Sequence, residues 1–393
     1  MSSPFAHFQQ CNFFQTPSST RRILFSLRYR RAELFVLKFC HQSVLQSFRS
    51  SVSHCIRYPC PHPNHPTSTH TMTLLQSLLH LTNFKNPLLQ TLVPSVSAAF
   101  AIQTAFAIPS IACQSDRFYD FSGSLTYLAV TALSLYLPAL RSRHATLTSS
   151  QSPLPHLLSP FLAGTMTGAP AFNWRQVVLS GAVSIWATRL GAYLFQRVLE
   201  EGKDSRFDEI KTSAPRFWGA FMAQATWVSV CLMPVMAVNA VPAAAFAGPA
   251  LRVTDVVGLG LYVGGIVFEV VADRQKARWM REKREKVHDE VFLSSGLWAK
   301  SRHPNYFGEL TLWTGIATTS VGILLARPVQ AVLGLSPQAA LALCYVSPAF
   351  VTFLLLKVSG VPLSEKKYDR KYGDRKDYQE WKRDTPKCFP KFF

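Results

Sequence analysis

The sequence predicts an all-α protein, a polytopic transmembrane helical bundle of about seven spans. Three observations predict it. Charged residues make up only 16% of the 393 residues, against roughly 25% in soluble domains. The deficit is concentrated in uncharged runs long enough to cross a bilayer, which takes roughly 20 mostly apolar residues. The 41 Lys and Arg, against 22 Asp and Glu, gather between those runs. The formal charge of +19 therefore reads as charge flanking membrane spans rather than as a nucleic-acid-binding surface. The same composition excludes disorder over most of the length. A soluble bundle would have to bury too many helices that are apolar all round. The eight cysteines lack the regular spacing of a disulfide framework.

The spans follow in order. No charge occurs between Lys85 and Asp116, which places a first span near 88–111. Only Asp120 interrupts Arg117 to Arg141, giving a second near 119–140. Only Arg189 interrupts Arg175 to Arg197, giving a third near 176–196. The uncharged run from Arg216 to Arg252 holds a fourth near 217–240. Shorter apolar stretches place a fifth near 254–272 and a sixth near 306–326, each with an acid at one end. The run from Arg327 to Lys357 holds a seventh near 338–358.

Lys and Arg beside the spans set orientation. Arg197, Lys203, Arg206, Lys211 and Arg216 follow the third span, nine basic residues lie from Arg274 to Arg302, and ten lie from Lys366 to Lys391. With seven spans these segments share one side, expected to be cytosolic. Arg141, Arg143 and Arg175 then fall on the far side, against the trend.

Residues 1–71 hold eight Lys or Arg and one acid, Glu33, among many Ser, His and Pro. They are expected to be a disordered or spurious extension, transit-like in composition, ahead of a membrane domain over 72–393 that begins at Met72. Cys55, Cys60, His62 and His65 fit no standard zinc spacing, so no metal site is expected.

The densest chemistry lies at 296–309: Gly296-Leu297-Trp298-Ala299-Lys300-Ser301-Arg302-His303-Pro304-Asn305-Tyr306-Phe307-Gly308-Glu309. Pro304 can open a helix, because its missing N–H is not needed there. The free N–H groups of that first turn attract anions, and Arg302 and His303 add donors suited to phosphate or carboxylate. Arg302 is expected to face water. Glu309, one turn inside, should face the protein interior. An interfacial cap with snorkelling side chains is the plainer alternative.

Other charges lie at membrane depth. Glu269 and Asp273 are i,i+4 on one helix face, and Arg189 sits mid-span, where it needs a partner. Pairing with Glu269 or Glu309 and binding of a ligand are equal alternatives for it. The segment 274–291 reads as a solvated extension of the fifth helix. Aromatics among charges at Asp377-Tyr378-Gln379-Glu380-Trp381 suit a lid over a cofactor or an interfacial anchor equally. Gly258-Leu259-Gly260 reads as helix packing rather than a nucleotide motif. No phosphate-binding loop, serine elbow or His-Glu-x-x-His motif is present.

The stretch Ser301-Arg302-His303-Pro304-Asn305-Tyr306-Phe307-Gly308-Glu309, with Gly296-Leu297-Trp298 before it and Trp313 after, resembles the membrane proteins grouped with the C-terminal domain of steroid 5-alpha reductases. Trp186, Arg189-Leu190, Arg197, the 202–208 loop, Val358-Ser359-Gly360-Val361-Pro362, Glu365 and Tyr378 fit an uncharacterised branch of them. The likeness spans about 85–393, with a reductase-like core at about 176–393. It implies a helical enzyme that uses NADPH to reduce a carbon–carbon double bond in a lipid, such as a sterol or enone. The Arg302-His303-Pro304 start also resembles isoprenylcysteine carboxyl methyltransferases, which use S-adenosylmethionine. The glutamate–tyrosine pair that reductases carry in their early spans is not identifiable from the sequence.

The expected function is therefore an NADPH-dependent oxidoreductase of the endoplasmic reticulum membrane, with its catalytic loops and C-terminus cytosolic. Arg302, His303, Asn305 and Tyr306 are expected to hold the cofactor, with Arg189, Arg206 and Tyr378 as further candidates. Glu309 and Tyr306 are the catalytic candidates. The alternatives are a methyltransferase using S-adenosylmethionine and a non-catalytic lipid-binding protein of the same fold. A lipid-like small molecule and the bilayer are the expected partners, and no protein partner is inferable.

Overall fold

The computed structural model describes residues 74–146, 172–201, 207–208, 210–246 and 248–391. Residues 1–71, the expected boundary at Met72, Lys203 and Arg206 lie outside the described residues. In chain order the helices are α1 (Leu74–Leu81), α2 (Pro87–Ala112), α3 (Tyr119–Thr146), α4 (Trp174–Glu201), α5 (Ala214–Asn239), α6 (Val253–Arg284), α7 (Pro304–Leu324), α8 (Arg327–Leu333), α9 (Pro337–Phe353), α10 (Val361–Tyr372) and α11 (Lys376–Asp384). No strand occurs among the described residues.

Among the described residues, six helices are long and apolar enough to cross a membrane: α2 to α6, and α9 with its continuation to Tyr372. A seventh span is formed if α7 and α8, bent by 87° at their junction, count together. The predicted bundle of about seven spans is thus what the chain forms. The bend has a local cause. Pro328 offers no N–H to extend α7, and it fits the first turn of a new helix. The fifth helix was expected to run on to 291. It stops at Arg284 because Lys286 takes a left-handed φ of 57°.

The helix ends are fixed by ordinary capping. Asn86 accepts from the Leu88 N–H at 2.8 Å, ahead of Pro87, and Ser336 accepts from the Ala339 N–H at 3.1 Å.

Ion pairing orders the end where α4 and α6 begin. Arg175 is buried and donates to Asp255 at 2.7 Å, and also to the carbonyls of Pro249 and Ala250. This explains a basic residue that defies the charge asymmetry: Arg175 is paired with Asp255 and bonded to two carbonyls. Gln176 ties the same end of α4 to the carbonyls of Val238 and Asn239 at the end of α5. At the opposite end Tyr119 donates to the Ala220 carbonyl at 2.9 Å. Neighbouring spans therefore alternate in direction, and the turn into α7 meets the C-terminal segment at one end.

Two glycine pairs set the spacing of α6 and α7, which run antiparallel. A Cβ on Gly265 would lie 2.7 Å from the Gly308 carbonyl oxygen, and one on Gly308 would lie 2.7 Å from the Gly265 carbonyl. Gly258 and Gly315 repeat the contact two turns away. The expectation that Gly258 packs helices holds. Gly260 has nothing near it. Backbone contact at Gly308 brings Glu269 against the first turn of α7, as the Glu269 N–H lies 2.7 Å from the position of a Gly308 Cβ.

The core between the helices is aromatic. The Tyr127, Trp186 and Trp313 rings of α3, α4 and α7 are almost wholly buried and meet edge-on or tilted, 5.0 to 6.1 Å apart.

Candidate functional site

The loop into α7 is built to be rigid. Gly296 adopts φ +62°, a conformation that glycine tolerates without strain, and starts a single 3-10 turn, Gly296–Ala299. Gln275 of α6 accepts from the Leu297 N–H at 2.9 Å, and the Trp298 indole donates to the Ala272 carbonyl at 3.1 Å. The C-terminal segment crosses this loop and is bonded to it along its length. Arg302 N–H donates to Pro386 O at 2.9 Å, Lys391 N–H to Lys300 O at 2.9 Å, Ser301 Oγ to Cys388 O at 2.8 Å, and the Trp381 indole to Trp298 O at 3.2 Å.

Between loop and tail lies a cleft with about 540 Å³ of empty space, part of it open to solvent. Arg302, His303, Asn305, Tyr306 and Tyr378 all line it, together with Lys276, Trp298, Glu365, Tyr368 and Trp381. Five of the seven sequence-derived cofactor candidates are thus brought together. Arg206 lies outside the described residues. Arg189 does not line the cleft.

Arg302 departs from expectation. It is buried rather than facing water, with Nη2 3.0 Å from Glu365 Oε1 and Nη1 donating to the Lys382 carbonyl at 3.0 Å. The tail folds over it, and α10 delivers Glu365. His303 caps α7 and stacks on Tyr306, with ring centroids 5.2 Å apart and planes 8° off parallel. Burial, then the positive charges of Arg302 and Lys276, push His303 down to about 3. It is therefore a neutral hydrogen-bonding group, 3.6 Å from Glu365. Tyr378 donates to Asp369 at 2.8 Å, and burial followed by that carboxylate raises its phenol.

Four buried polar atoms at this cleft have no hydrogen-bond partner: Arg302 Nε, His303 Nε2, Asn305 Oδ1 and Glu365 Oε1, whose contact with Arg302 is ionic but not aligned as a hydrogen bond. Buried polar groups are rarely left so, and a group of them around one opening leaves donors and acceptors that water or a bound molecule can satisfy.

A layer of charge lies one turn deeper. Arg189 pairs with Asp273 at 2.9 Å and also with Glu269. Of the partners considered for Arg189, the geometry selects Glu269, with Asp273 beside it, and not Glu309. Asn305 hydrogen-bonds Asp273, which connects this layer to the cleft. Glu309 stands within electrostatic reach of Asp273, Arg189 and Glu269, and also of Tyr127. The Tyr127 hydroxyl is buried, with the Cys231 thiol as its polar neighbour.

Sequence reasoning missed Lys276, Tyr368 and Tyr127 as site residues and met Glu365 and Trp381 only in passing. Lys276 could have been found, because it is i,i+3 from Asp273 on the same face. Nothing in the pattern marks Tyr127, one aromatic among many in an apolar span.

The fold and site define a helical membrane protein with a polar, aromatic-walled cleft at one end of its bundle. Residues 152–385, more than half of the chain, match the family described as "Protein of unknown function (DUF1295)", and the chain belongs to that family. No curated protein and no solved structure matches it.

Proposed function

We propose that this chain is a membrane-embedded reductase that binds NADPH in the cleft and reduces a carbon–carbon double bond of a lipid-like sterol or enone. The observation that carries the reading is the set of four unpartnered buried polar atoms around an aromatic-walled opening that also holds Arg302 and Lys276. The residues fit a dinucleotide. Arg302 and Lys276 would hold phosphate oxygens, the Tyr306, Trp298 and Trp381 rings offer flat apolar walls, and Asn305 and Glu365 have acceptor oxygens for amide or hydroxyl protons. The resemblance of the 301–309 stretch to the C-terminal domain of steroid 5-alpha reductases supports the same choice.

Bound there, NADPH supplies a hydride to one carbon of the double bond. The chain's part is to position and to protonate. Glu309 orients the start of α7 and the cofactor end beneath it. Tyr306 keeps His303 stacked and neutral at the cleft wall. Tyr127, with its buried hydroxyl in reach of Glu309, is the acid at the apolar side. The glutamate–tyrosine pair that the sequence alone did not identify is in this reading assembled from Glu309 of α7 and Tyr127 of α3. The charge asymmetry of the loops supports a cytosolic cleft end, and an endoplasmic reticulum location accords with a lipid substrate.

A second reading rests on one observation. Arg302 and Glu365 present opposite charges 3.0 Å apart, which suits the carboxylate and ammonium of an amino-acid moiety, and so S-adenosylmethionine. A thermal-shift screen of the full chain in detergent against NADPH, NADH and S-adenosylmethionine tests both. A rise in melting temperature with NADPH is expected. A response to S-adenosylmethionine alone selects the methyltransferase, and no response to any leaves a non-catalytic lipid-binding protein.

A further inference from the structure

The C-terminal segment that crosses the α7 loop has two faces. Its inner face is bonded down: Pro386 O accepts from the Arg302 N–H, Cys388 O accepts from Ser301 Oγ, and the Lys391 N–H donates to Lys300 O at 2.9 Å. Thr385 and Cys388 are buried on this side. The other face presents Lys387, Phe389 and Lys391 outward, and the backbone bond brings exposed Lys300 beside Lys391. Phe389 is 66% exposed, although the bonds of Cys388 and Lys391 fix the chain on both sides of it. The three lysines form no ion pair among the described residues. Asp384, within electrostatic reach of Lys391, is already held by Arg383 at 2.9 Å.

Ring contacts fix the depth of this patch. Phe389 meets Phe307 of α7 edge-on at 5.8 Å, and Phe307 meets Phe268 of α6 at 5.2 Å. Phe268 lies on the spanning helix α6, between Val267 and Val271, which are exposed on the outside of the bundle. Asp273 and Arg274 follow within two turns. A ladder of three rings thus leads from the last apolar turns of a span to Phe389 and places it at the membrane boundary. An aromatic ring suits the depth between headgroups and acyl chains, and lysine stems beside it carry their charge out to the headgroups. We infer that residues 387–391, with Lys300, form a seat for an acidic phospholipid. Phe389 enters the headgroup boundary, and Lys300, Lys387 and Lys391 take the negative headgroup. A zwitterionic headgroup has no net charge to offset three clustered lysines. The inference stands apart from the reductase reading. Because the same segment covers Arg302, the lipid fastens one wall of the cleft.

The test titrates short-chain phosphatidylserine and phosphatidylcholine by calorimetry into the full chain in detergent. A lysine near an anionic surface contributes about fivefold in affinity. The wild type is therefore expected to bind phosphatidylserine about tenfold or more tightly than phosphatidylcholine. Lys300→Gln/Lys387→Gln/Lys391→Gln alters only exposed side chains, and a melting curve confirms that it folds. Its ratio should fall toward one. Lys366→Gln/Lys367→Gln/Lys376→Gln removes the same charge from α10 and α11 and should keep the wild-type ratio. Phe389→Ser should weaken both lipids and leave their ratio unchanged. Glycerophosphoserine, the same headgroup without acyl chains, should bind about tenfold or more weakly than the lipid. Equal binding of the two lipids by the wild type overturns the seat, as does an equal loss of preference in the α10–α11 variant. Unchanged lipid binding in Phe389→Ser, or glycerophosphoserine binding as tightly as the lipid, overturns it in favour of a site for a soluble anion.

Discussion

Arg302 Nη2 lies 3.0 Å from Glu365 Oε1, so the loop that opens α7 and the short helix that follows the last span are joined by charge at the cleft wall. The contact makes Arg302 part of the framework, besides the cofactor-binding role proposed for it. Removing one partner of a buried pair strands the other, and here the stranded group would be a carboxylate 18% exposed.

Arg302→Ala is therefore expected to lower both stability and cofactor affinity. Loss of charge-assisted bonds of about 1.5–3 kcal/mol each weakens NADPH roughly ten- to a hundredfold or more. Arg302→Lys should regain part of that, because Lys lacks the two-pronged donor. The Arg302→Ala/Glu365→Gln double variant should recover melting temperature without recovering binding. Calorimetry and melting curves on the three variants check it, and full recovery of binding in the double variant would show that Arg302 acts only as a strut.

His303 gives the pH dependence. Its folded value is depressed from 6.5 to about 3, mainly by burial. Between those limits the unfolded chain takes up a proton that the folded chain refuses. The unfolded state then binds more protons, and stability falls as pH falls. The melting temperature is expected to drop from pH 7 to pH 5, and His303→Gln, which titrates nowhere in that range, should flatten this part of the profile. An equally steep profile in the variant would assign the loss to other groups.

The spans were legible because a bilayer imposes length and apolarity along the chain, and both can be read directly from Lys85 to Asp116 or from Arg216 to Arg252. The Arg302–Tyr306 stretch was legible for a similar reason, since contiguous residues at a helix start reach the same cleft. What the pattern did not carry was contact across distance. Glu365 meets Arg302 only because α10 folds back after the last span. Arg302 is buried only because the tail crosses the loop. Arg189 chose Glu269 and Asp273 over Glu309 because the glycine seam fixes how α6 and α7 sit. The break of α7 before Pro328 had a visible signal, a proline in an apolar run, that a search for long spans passes over.

Topology follows from the alternating helices. Ser294, before the α7 loop, and Ser364, on α10, lie at the cleft end, while Leu251 precedes α6 at the other end and is 59% exposed. Single cysteines at these positions, in a background without native cysteines, are expected to react with a membrane-impermeant reagent in two classes. In sealed vesicles positions 294 and 364 should label together and 251 oppositely. Labelling of 294 and 364 in opposite classes would break the arrangement.

The glycine seam carries the last expectation. The Gly308 Cα faces the backbone of α6, where an added methyl would lie 2.7 Å from both the Glu269 nitrogen and the Gly265 carbonyl oxygen. Neither atom belongs to a flexible side chain, so the helices themselves must part. Overpacking typically costs about 1–3 kcal/mol, and at this position it also moves Glu269 away from Arg189. Gly308→Ala should therefore lower the melting temperature and weaken cofactor binding, although no side chain of the cleft is altered. Gly260→Ala, on the same helix pair but with nothing within 4 Å, is the control. It should melt at or slightly above the wild type, because alanine restricts the unfolded chain and favours the helix. The measurement is a pair of melting curves with a cofactor titration for each variant. If the two substitutions behave alike, the close approach of α6 and α7 does not hold the site together.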